Sequence, residues 1–212
     1  SEANIIEQKR IINVACDTGA QAVVMECMAL QPILDWISEN KLIRATHGVI
    51  TNARADHLDI MGPTEEDVAK TLAGMIPVGG TLFTSENRHR KILEDAADDR
   101  RTHFIGVSEE EIEAISDDDL ANFKYTEHKE NVALVIRLVA DLGIDRETAL
   151  RGMWKTNPDP GALSECKLDF FGRHIIFVNG FAANDPESTA TIWTRTLEKY
   201  KSVTRRVGVF NL

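Results

Sequence analysis

The segment THGVITNARADHLDIMGPTEEDVAKTLAGM, residues 46–75, decides the fold of this 212-residue chain. Its first six residues, 46–51, form a short run rich in β-branched side chains, which predicts a strand. A polar loop follows, and Thr64 then precedes three acidic residues and a helical pattern of apolar ones. This pattern predicts a helix over 65–75 that Thr64 caps. The segment therefore predicts a strand, a loop and a helix, the unit from which α/β folds are built.

The same alternation continues on both sides of this segment. Gly19 and Gly143 are stop signals for two of the flanking helices. We predict further strands over 22–28, 79–85 and 102–107, and helices over 5–18, 32–38, 87–97, 131–142 and 146–154. The acidic run 109–119 is typical of a solvated surface segment. Together these patterns predict an α/β fold with a mostly parallel sheet flanked by helices.

The chain changes character at KTNPDPGAL, residues 155–163, where two prolines and a glycine indicate a linker. Beyond it, residues 174–180, 185–200 and 205–212 read as strand, helix and strand, the beginning of a second, Rossmann-like α/β domain. We therefore predict one domain over 1–157, and a linker with the start of another over 158–212. We also expect a longer parent protein, because the chain does not begin with Met and the second domain stops early.

Composition excludes several classes of protein. Lys and Arg total 24 against 34 Asp and Glu, a net charge of −10 that argues against a general nucleic-acid binder. The three cysteines include no CxxC pair, which indicates a reducing compartment and no structural zinc site. No apolar stretch approaches the roughly 20 residues that span a bilayer. These features favour a cytoplasmic globular protein.

Glu26 interrupts the apolar run 22–28, where a carboxylate is costly unless it is paired, protonated or bound to a cation. One interpretation is a magnesium ligand, because hard cations prefer carboxylate oxygens. The alternative is a glutamate at a strand end that backbone amides hold. The residue alone does not separate the two.

A second cluster follows the strand 46–51. Asn52 ends that strand, and Asp56, His57 and Asp59 lie in the next loop. Ligands of open α/β sheets gather at the carboxyl ends of the strands, so these side chains predict a site for a metal or a polar ligand. The alternative is that Asp56 or Asp59 only caps a turn.

Asn131 begins the predicted helix 131–142, shortly after His128. Its side-chain amide carries a donor and an acceptor that match the edge of an adenine ring. A plain residue at the start of a helix is the other interpretation.

Four segments together resemble a known family: VMECMAL (24–30), TNARADHLDIMGPT (51–64), DPGAL (159–163) and FVNGFAANDPEST (177–189). They resemble the poly-γ-glutamate ligases of capsule biosynthesis, members of the muramyl ligase and folylpolyglutamate synthetase superfamily. The resemblance covers essentially the whole chain. It implies that residues 1–157 are a muramyl-ligase-like central ATPase domain.

The resemblance also implies a reaction. Such ligases phosphorylate a carboxylate with ATP, and an amine then attacks the acyl phosphate to form an amide. Here the chemistry would add glutamate to a γ-linked polyglutamate chain, with ATP and Mg²⁺ or Mn²⁺ as cofactors. Because two polyanions meet in this reaction, a divalent ion is needed to neutralise them.

By the same resemblance, residues in three groups acquire roles. Glu26, His57 and Asn52 would serve the metal, and His57 and Asp56 would be the catalytic pair. The nucleotide contacts would come from Asn131, Asn179 and Asn184.

The implied partners are glutamate, the polyglutamate acceptor and membrane-bound subunits of a synthase complex. A homo-oligomer is compatible with the resemblance, and nucleic acid is not an expected partner. We expect a peripheral location at the inner face of the cell membrane, through the partners or a missing N-terminal segment.

One family motif is missing, since no Gly-x-x-Gly-Lys-Ser/Thr phosphate loop occurs in these residues. Its backbone amides and lysine hold the β- and γ-phosphates. We expect it before residue 1, and we expect this segment alone to be inactive.

Three rival functions stay open. The chain could be an inactive interaction scaffold that keeps the ligase fold, or a muramyl-type ligase for another amino acid. A metal-dependent hydrolase built on Asp56, His57 and Asp59 would need no ATP at all.

Overall fold

A computed structural model describes residues 5–158, 160–183 and 186–209. The helices are α1 (Ile5–Asp17), α2 (Pro32–Ile37), α3 (Leu58–Met61), α4 (Glu65–Leu72), α5 (Arg90–Asp99), α6 (Glu109–Glu113), α7 (Asp117–Ala121), α8 (Lys129–Asp141), α9 (Arg146–Lys155) and α10 (Pro186–Lys199). A π-helical turn, Ser38–Ile43, continues α2, and a 3₁₀ turn, Ala73–Met75, continues α4. The strands are β1 (His47–Ile50), β2 (Thr81–Thr84), β3 (His103–Gly106), β4 (Ser164–Phe170) and β5 (Arg173–Asn179).

Within the described residues, β1, β2 and β3 form one parallel sheet in that order. Ile50 lies opposite Thr84, and Thr84 lies opposite Gly106, so the three strands end level with one another. Leu82 and Phe83 of the central strand are fully buried between helices on the two sides of the sheet. The predicted α/β class with a parallel sheet is confirmed, and the strands' carboxyl ends meet at one edge.

Most predicted elements are present within a few residues of their expected bounds. Thr64 caps α4 as predicted, because its hydroxyl accepts the Asp67 N–H while the Asp67 carboxylate accepts the Thr64 N–H. Gly19 and Gly143 both adopt the left-handed conformation that ends a helix, with φ of 69° and 77°. Local chemistry at the helix ends was therefore sufficient to place these boundaries.

The strand predicted over 22–28 is wrong, since these residues are irregular and pair with none of the described strands. Val24 is 98% exposed and Glu26 is exposed too, so the run is not a buried strand. The segment is instead held onto α1, where the Gln8 amide donates to the Glu26 carbonyl at 2.8 Å. An apolar run forms a strand only where a neighbouring strand accepts its backbone hydrogen bonds.

The acidic run 109–119 was predicted as a solvated surface segment, and this is only partly correct. Ser108 and Ser116 each form a capping box, so the run contains most of the two short helices α6 and α7. The carboxylates face solvent for the most part, but Ile115 is 2% exposed and belongs to the core. The core contact explains why so acidic a segment is ordered.

Beyond the linker, the hairpin β4–β5 was not predicted, although the strand 174–180 was and is confirmed as β5. Phe171 and Gly172 both have positive φ, 48° and 72°, as the two-residue turns of tight hairpins require. The helix predicted over 185–200 is present as α10. The strand predicted over 205–212 is wrong for the described residues 205–209, which are irregular, and residues 210–212 lie outside the described residues.

A buried polar cluster lies between α1, α2 and the irregular segment. Ser38 donates to the Gln8 side chain at 2.9 Å, and the Cys27 thiol lies 3.7 Å from one Asp35 carboxylate oxygen. Asp35 is fully buried, and its other oxygen has no hydrogen-bond partner among the described residues. Burial raises the pKa of Asp35 from 3.8 to about 6.

We expect this carboxyl group to make stability depend on pH. The folded chain holds the Asp35 proton more tightly than the unfolded chain, so the free energy of unfolding falls as pH rises from about 4 to about 6. Asp35→Asn cannot ionise, and should therefore be more stable than wild type at pH 8 by up to about 3 kcal/mol. Below pH 4 the difference should vanish. Urea unfolding at several pH values tests this, with the exposed Asp98→Asn as control, and equal stability of Asp35→Asn and wild type at pH 8 would contradict it.

The Thr64 cap yields a second prediction. Thr64→Ala removes the acceptor for the Asp67 N–H, and should lower the free energy of unfolding by about 1 kcal/mol. Thr18→Ala is the matched control, because the exposed Thr18 hydroxyl only bonds back to the Val14 and Ala15 carbonyls near the end of α1. The same urea titration should show a smaller loss for the control. Equal losses would mean that the capping box does not stabilise α4.

Candidate functional site

A cavity of about 260 Å³ lies at the carboxyl edge of the parallel sheet. Its walls come from the residues that follow β1 and β2, from α6 and from the first turn of α8. The charged and amide-bearing side chains that line it, together with one histidine, are Asn52, Arg54, Glu65, Glu86, Asn87, Arg88, Glu109, His128, Glu130 and Asn131. Parallel topology produces this site, because it delivers several strand ends to one place.

Three consecutive side chains, beginning with the last residue of β2, hold the end of β1 and the residues that follow it. The Thr84 hydroxyl donates to the Ile50 carbonyl at 2.6 Å, and the Ser85 hydroxyl donates to the Thr51 carbonyl at 2.8 Å. The Glu86 carboxylate then accepts the Ala53 N–H at 2.7 Å. We call Thr84, Ser85 and Glu86 the side-chain brace. Its three hydrogen bonds hold the two chain segments together at and beyond Ile50 and Thr84, the last residue pair of β1 and β2.

Glu86 is 6% exposed, and both of its oxygens accept backbone amides. Besides Ala53, it accepts the His89 N–H at 2.9 Å, at the start of α5. A buried carboxylate with a donor on each oxygen has its charge compensated without a counter-ion. Glu86 therefore ties the exit of β1 to the exit of β2 and to the next helix.

Asn52 follows β1 and lies on the cavity wall. Its amide oxygen accepts the Arg54 N–H at 3.3 Å, and its amide nitrogen lies 3.5 Å from the Thr51 hydroxyl. Ala53, the next residue, is 1% exposed and packs with Val68 of α4. The Asn52 side chain is exposed, while the backbone that carries it is fixed on both sides.

Asn131 reaches the same cavity from the first turn of α8. Its amide nitrogen donates to the Glu127 carboxylate at 2.9 Å, which leaves the amide oxygen as an acceptor. His128 precedes α8 and also lines the cavity. Asn52 and Asn131, predicted from distant parts of the sequence, thus lie on one cavity.

Charged side chains form the rim beside α4. Glu65 lies 3.5 Å from an Arg88 guanidinium nitrogen and 3.6 Å from His89 Nε2. That His89 nitrogen is buried and has no hydrogen-bond partner within the described residues. Glu65 therefore holds two basic groups near the cavity mouth without a close bond to either.

The other predicted metal and catalytic residues lie apart from this cavity. His57 begins α3 with φ 46°, and its Nε2 is 3.7 Å from an Asp56 oxygen, both side chains being about two-fifths exposed. Glu26 is exposed on the irregular segment that packs on α1. Over the described part of the chain, no three His, Cys, Asp or Glu side chains converge as a metal site would require. The metal role of Glu26, His57 and Asn52 stays a prediction, and so does the catalytic role of His57 and Asp56.

Two nucleotide contacts, Asn179 and Asn184, were predicted beyond the linker, and the structure describes one of them. The nucleotide role of both stays a prediction. The Asn179 amide nitrogen donates to the Pro160 carbonyl at 2.7 Å, and its oxygen accepts the Phe181 N–H, so this side chain fastens the linker to β5. Asn184 lies outside the described residues.

The polar side chains of the cavity are better suited to bind a nucleoside than a free divalent ion. Asn52, Asn87 and Asn131 offer amide groups of the kind that recognise a base edge or a ribose hydroxyl. The carboxylates that could bind a cation do not gather at one point, and Glu86 is already saturated by backbone amides.

Sequence reasoning missed Glu86, Asn87 and Arg88. Their signal was their place directly after the predicted strand 79–85, the position that singled out Asn52 after the preceding strand. The same rule for strand ends, applied to every strand, would have found them.

Comparisons with known proteins agree with this architecture. Residues 166–212 match the model of the poly-gamma-glutamate synthase CapB C-terminal domain. The chain is 42% identical over 192 residues to the capsule biosynthesis protein CapB of Bacillus anthracis, covering 91% of this chain and 41% of that protein. It is 38% identical over 195 residues to the PGA synthase CapB of Bacillus subtilis (strain 168), covering 92% and 49%.

Solved structures show the same fold. The S73A mutant of L. casei FPGS, a folylpolyglutamate synthase, superposes with a TM-score of 0.62 at 14% identity, over 92% of this chain and 51% of that one. An FPGS–AMPPCP complex gives 0.63 at 15% identity, over 90% and 50%. The chain spans half or less of the curated relatives that it matches. The resemblance predicted from the sequence is confirmed: over nine-tenths of its length this chain is homologous to part of CapB, the poly-γ-glutamate synthase, and it has the muramyl ligase fold.

Proposed function

We propose that this chain is part of an ATP-dependent ligase that adds glutamate to a γ-linked polyglutamate chain through an acyl phosphate. The observation that carries the proposal is the cavity at the carboxyl edge of the sheet, where Asn52 and Asn131 meet in a homologue of CapB. A CapB relative is called a PGA synthase, and an FPGS of the same fold has been solved with AMPPCP. Both support a nucleotide-dependent ligase.

The residues of the cavity would hold the nucleoside end of ATP. The free amide oxygen of Asn131 can accept a hydrogen from an exocyclic amino group, and His128 beside it offers a flat ring. Asn52 and Asn87 can bond ribose hydroxyls from the opposite side. These contacts would orient the nucleotide, and the amide rather than a charged group suits an uncharged base.

Transfer of the γ-phosphoryl group to a carboxylate brings two anions together. Mg²⁺ bound to the phosphates supplies charge neutralisation in such reactions. We keep Glu26 and His57 as proposed metal residues on the strength of the family resemblance alone.

We propose glutamate and the polyglutamate acceptor as substrates, and membrane-bound synthase subunits as partners at the inner face of the membrane, with a homo-oligomer compatible. The family resemblance supports these partners. In the part of the chain that the structure describes, none of the helices is long and apolar enough to cross a membrane.

The proposal predicts glutamate-dependent release of ADP by the intact protein. Asn131→Ala should raise the KM for ATP about 10-fold, the effect of losing one hydrogen bond of about 1.4 kcal/mol, and leave the KM for glutamate unchanged. The control is Asn122→Ala, because the exposed Asn122 side chain only donates back to the Asp118 carbonyl. Steady-state kinetics with either substrate varied gives the answer.

Two results would count against the proposal. An intact wild-type protein that releases no ADP with glutamate present would favour the inactive scaffold. An Asn131→Ala variant with an unchanged KM for ATP would mean that Asn131, and with it this cavity, does not bind the nucleotide.

A further inference from the structure

The backbone hydrogen bonds between β1 and β2 stop at the pair Ile50 and Thr84, yet the two chain segments stay together beyond it. The side-chain brace, Thr84, Ser85 and Glu86, replaces the missing ladder. Thr84 and Ser85 bind carbonyls before Asn52, and Glu86 binds the amide directly after it. Asn52 is therefore enclosed between two points of attachment.

We propose that Glu86 is a positioning residue for the ligase reaction, which acts through Asn52 to set the geometry of the nucleotide cavity. This inference rests on the function proposed above. The contacts that Asn52 makes with Thr51 and Arg54 are local and turn with the backbone. The direction of its amide thus follows the backbone at Ala53, and Glu86 holds the Ala53 N–H.

The chemistry of the position calls for a carboxylate. Two backbone N–H groups, from Ala53 and His89, point at Glu86 from different segments, and each takes one oxygen. A glutamine has one oxygen only, so its NH₂ group would face one of these amides with no acceptor between them. Glu86→Gln keeps the size of the side chain, but it replaces one acceptor oxygen by an NH₂ donor and removes the negative charge.

Burial supports the same reading. Glu86 is 6% exposed and Ala53 is 1% exposed, so water cannot readily replace either partner when the bond is broken. In the loop after Ala53, Arg54 is exposed, and the side chains of Asp56 and His57 are each about two-fifths exposed. In this stretch the Glu86 bond and the packing of Ala53 are the anchors that the structure describes.

The test compares Glu86→Gln with Thr102→Val in the intact protein. Thr102 is equally buried, and its hydroxyl donates to the Pro77 carbonyl at the opposite edge of the sheet, far from the cavity. Both variants lose a buried polar contact and should lose thermal stability. Only Glu86→Gln should lower kcat/KM for ATP, by about 10-fold beyond the control.

A double-mutant cycle with Asn52→Ala separates positioning from a general structural role. If Glu86 acts through Asn52, the double variant Asn52→Ala/Glu86→Gln should be no worse than Asn52→Ala alone in kcat/KM for ATP. Two results would overturn the inference. One is a double variant whose loss in kcat/KM for ATP is the product of the two single losses. The other is a Glu86→Gln variant whose kcat/KM for ATP equals that of Thr102→Val.

Amide exchange of Ala53 keeps this inference distinct from the proposed function. Exchange at Ala53 should be faster in Glu86→Gln than in wild type or Thr102→Val, whether or not ATP is turned over. An unchanged exchange rate at Ala53 in Glu86→Gln would mean that Glu86 does not hold the Ala53 N–H, and it would overturn the inference. If wild type releases no ADP while exchange is faster, the ligase function fails and the structural hold of Glu86 on the loop stands.

Discussion

The carboxylate of Glu86 is the contact on which the candidate site depends. It joins the residue after Asn52 to the start of α5 through two backbone amides, at the edge where the three parallel strands end. Backbone ladders cannot extend there, because the chains diverge into loops. A buried side chain with two acceptor oxygens provides the bonds that regular structure no longer supplies.

Much of the fold could be predicted from the sequence because its signals are local. Thr64 and its capping box, and the left-handed Gly19 and Gly143, depend on residues within one turn of the helix end. The strands around 47–50, 81–84 and 103–106 were found because each is a short apolar run between helices. Their parallel direction could be predicted because helices alternate with the strands, and a helix between two strands returns the chain to the same end of the sheet.

The failures involve interactions that are distant in sequence. The segment 22–28 has a strand-like composition, but whether it becomes a strand depends on a neighbour, and here Gln8 and the buried cluster around Asp35 hold it instead. The hairpin β4–β5 is a different kind of failure, because its signal is local: Cys166, Leu168 and Phe170 alternate with charged residues, as in a half-exposed strand, and this alternation was overlooked in favour of continuous apolar runs. Of the candidate site, Asn52 and Asn131 were predicted and lie on one cavity. Glu86 was missed because the rule for strand ends was not applied after β2, and its bond to Ala53, 33 residues away, has no local signal in the sequence.

The charges of the cavity limit what it can bind by itself. Among the described residues, its walls carry Glu65, Glu109 and Glu130 against Arg54 and Arg88, besides Glu86, whose charge two backbone amides compensate. Glu65 already lies close to Arg88. Such walls repel a triphosphate but tolerate an uncharged base and ribose, which asparagine amides recognise well. The phosphates must therefore be neutralised by groups other than these walls. In the proposed ligase, amides would orient the nucleoside and separate cations would neutralise the phosphates, and this division reconciles the proposed nucleotide site with the acidic composition of the chain.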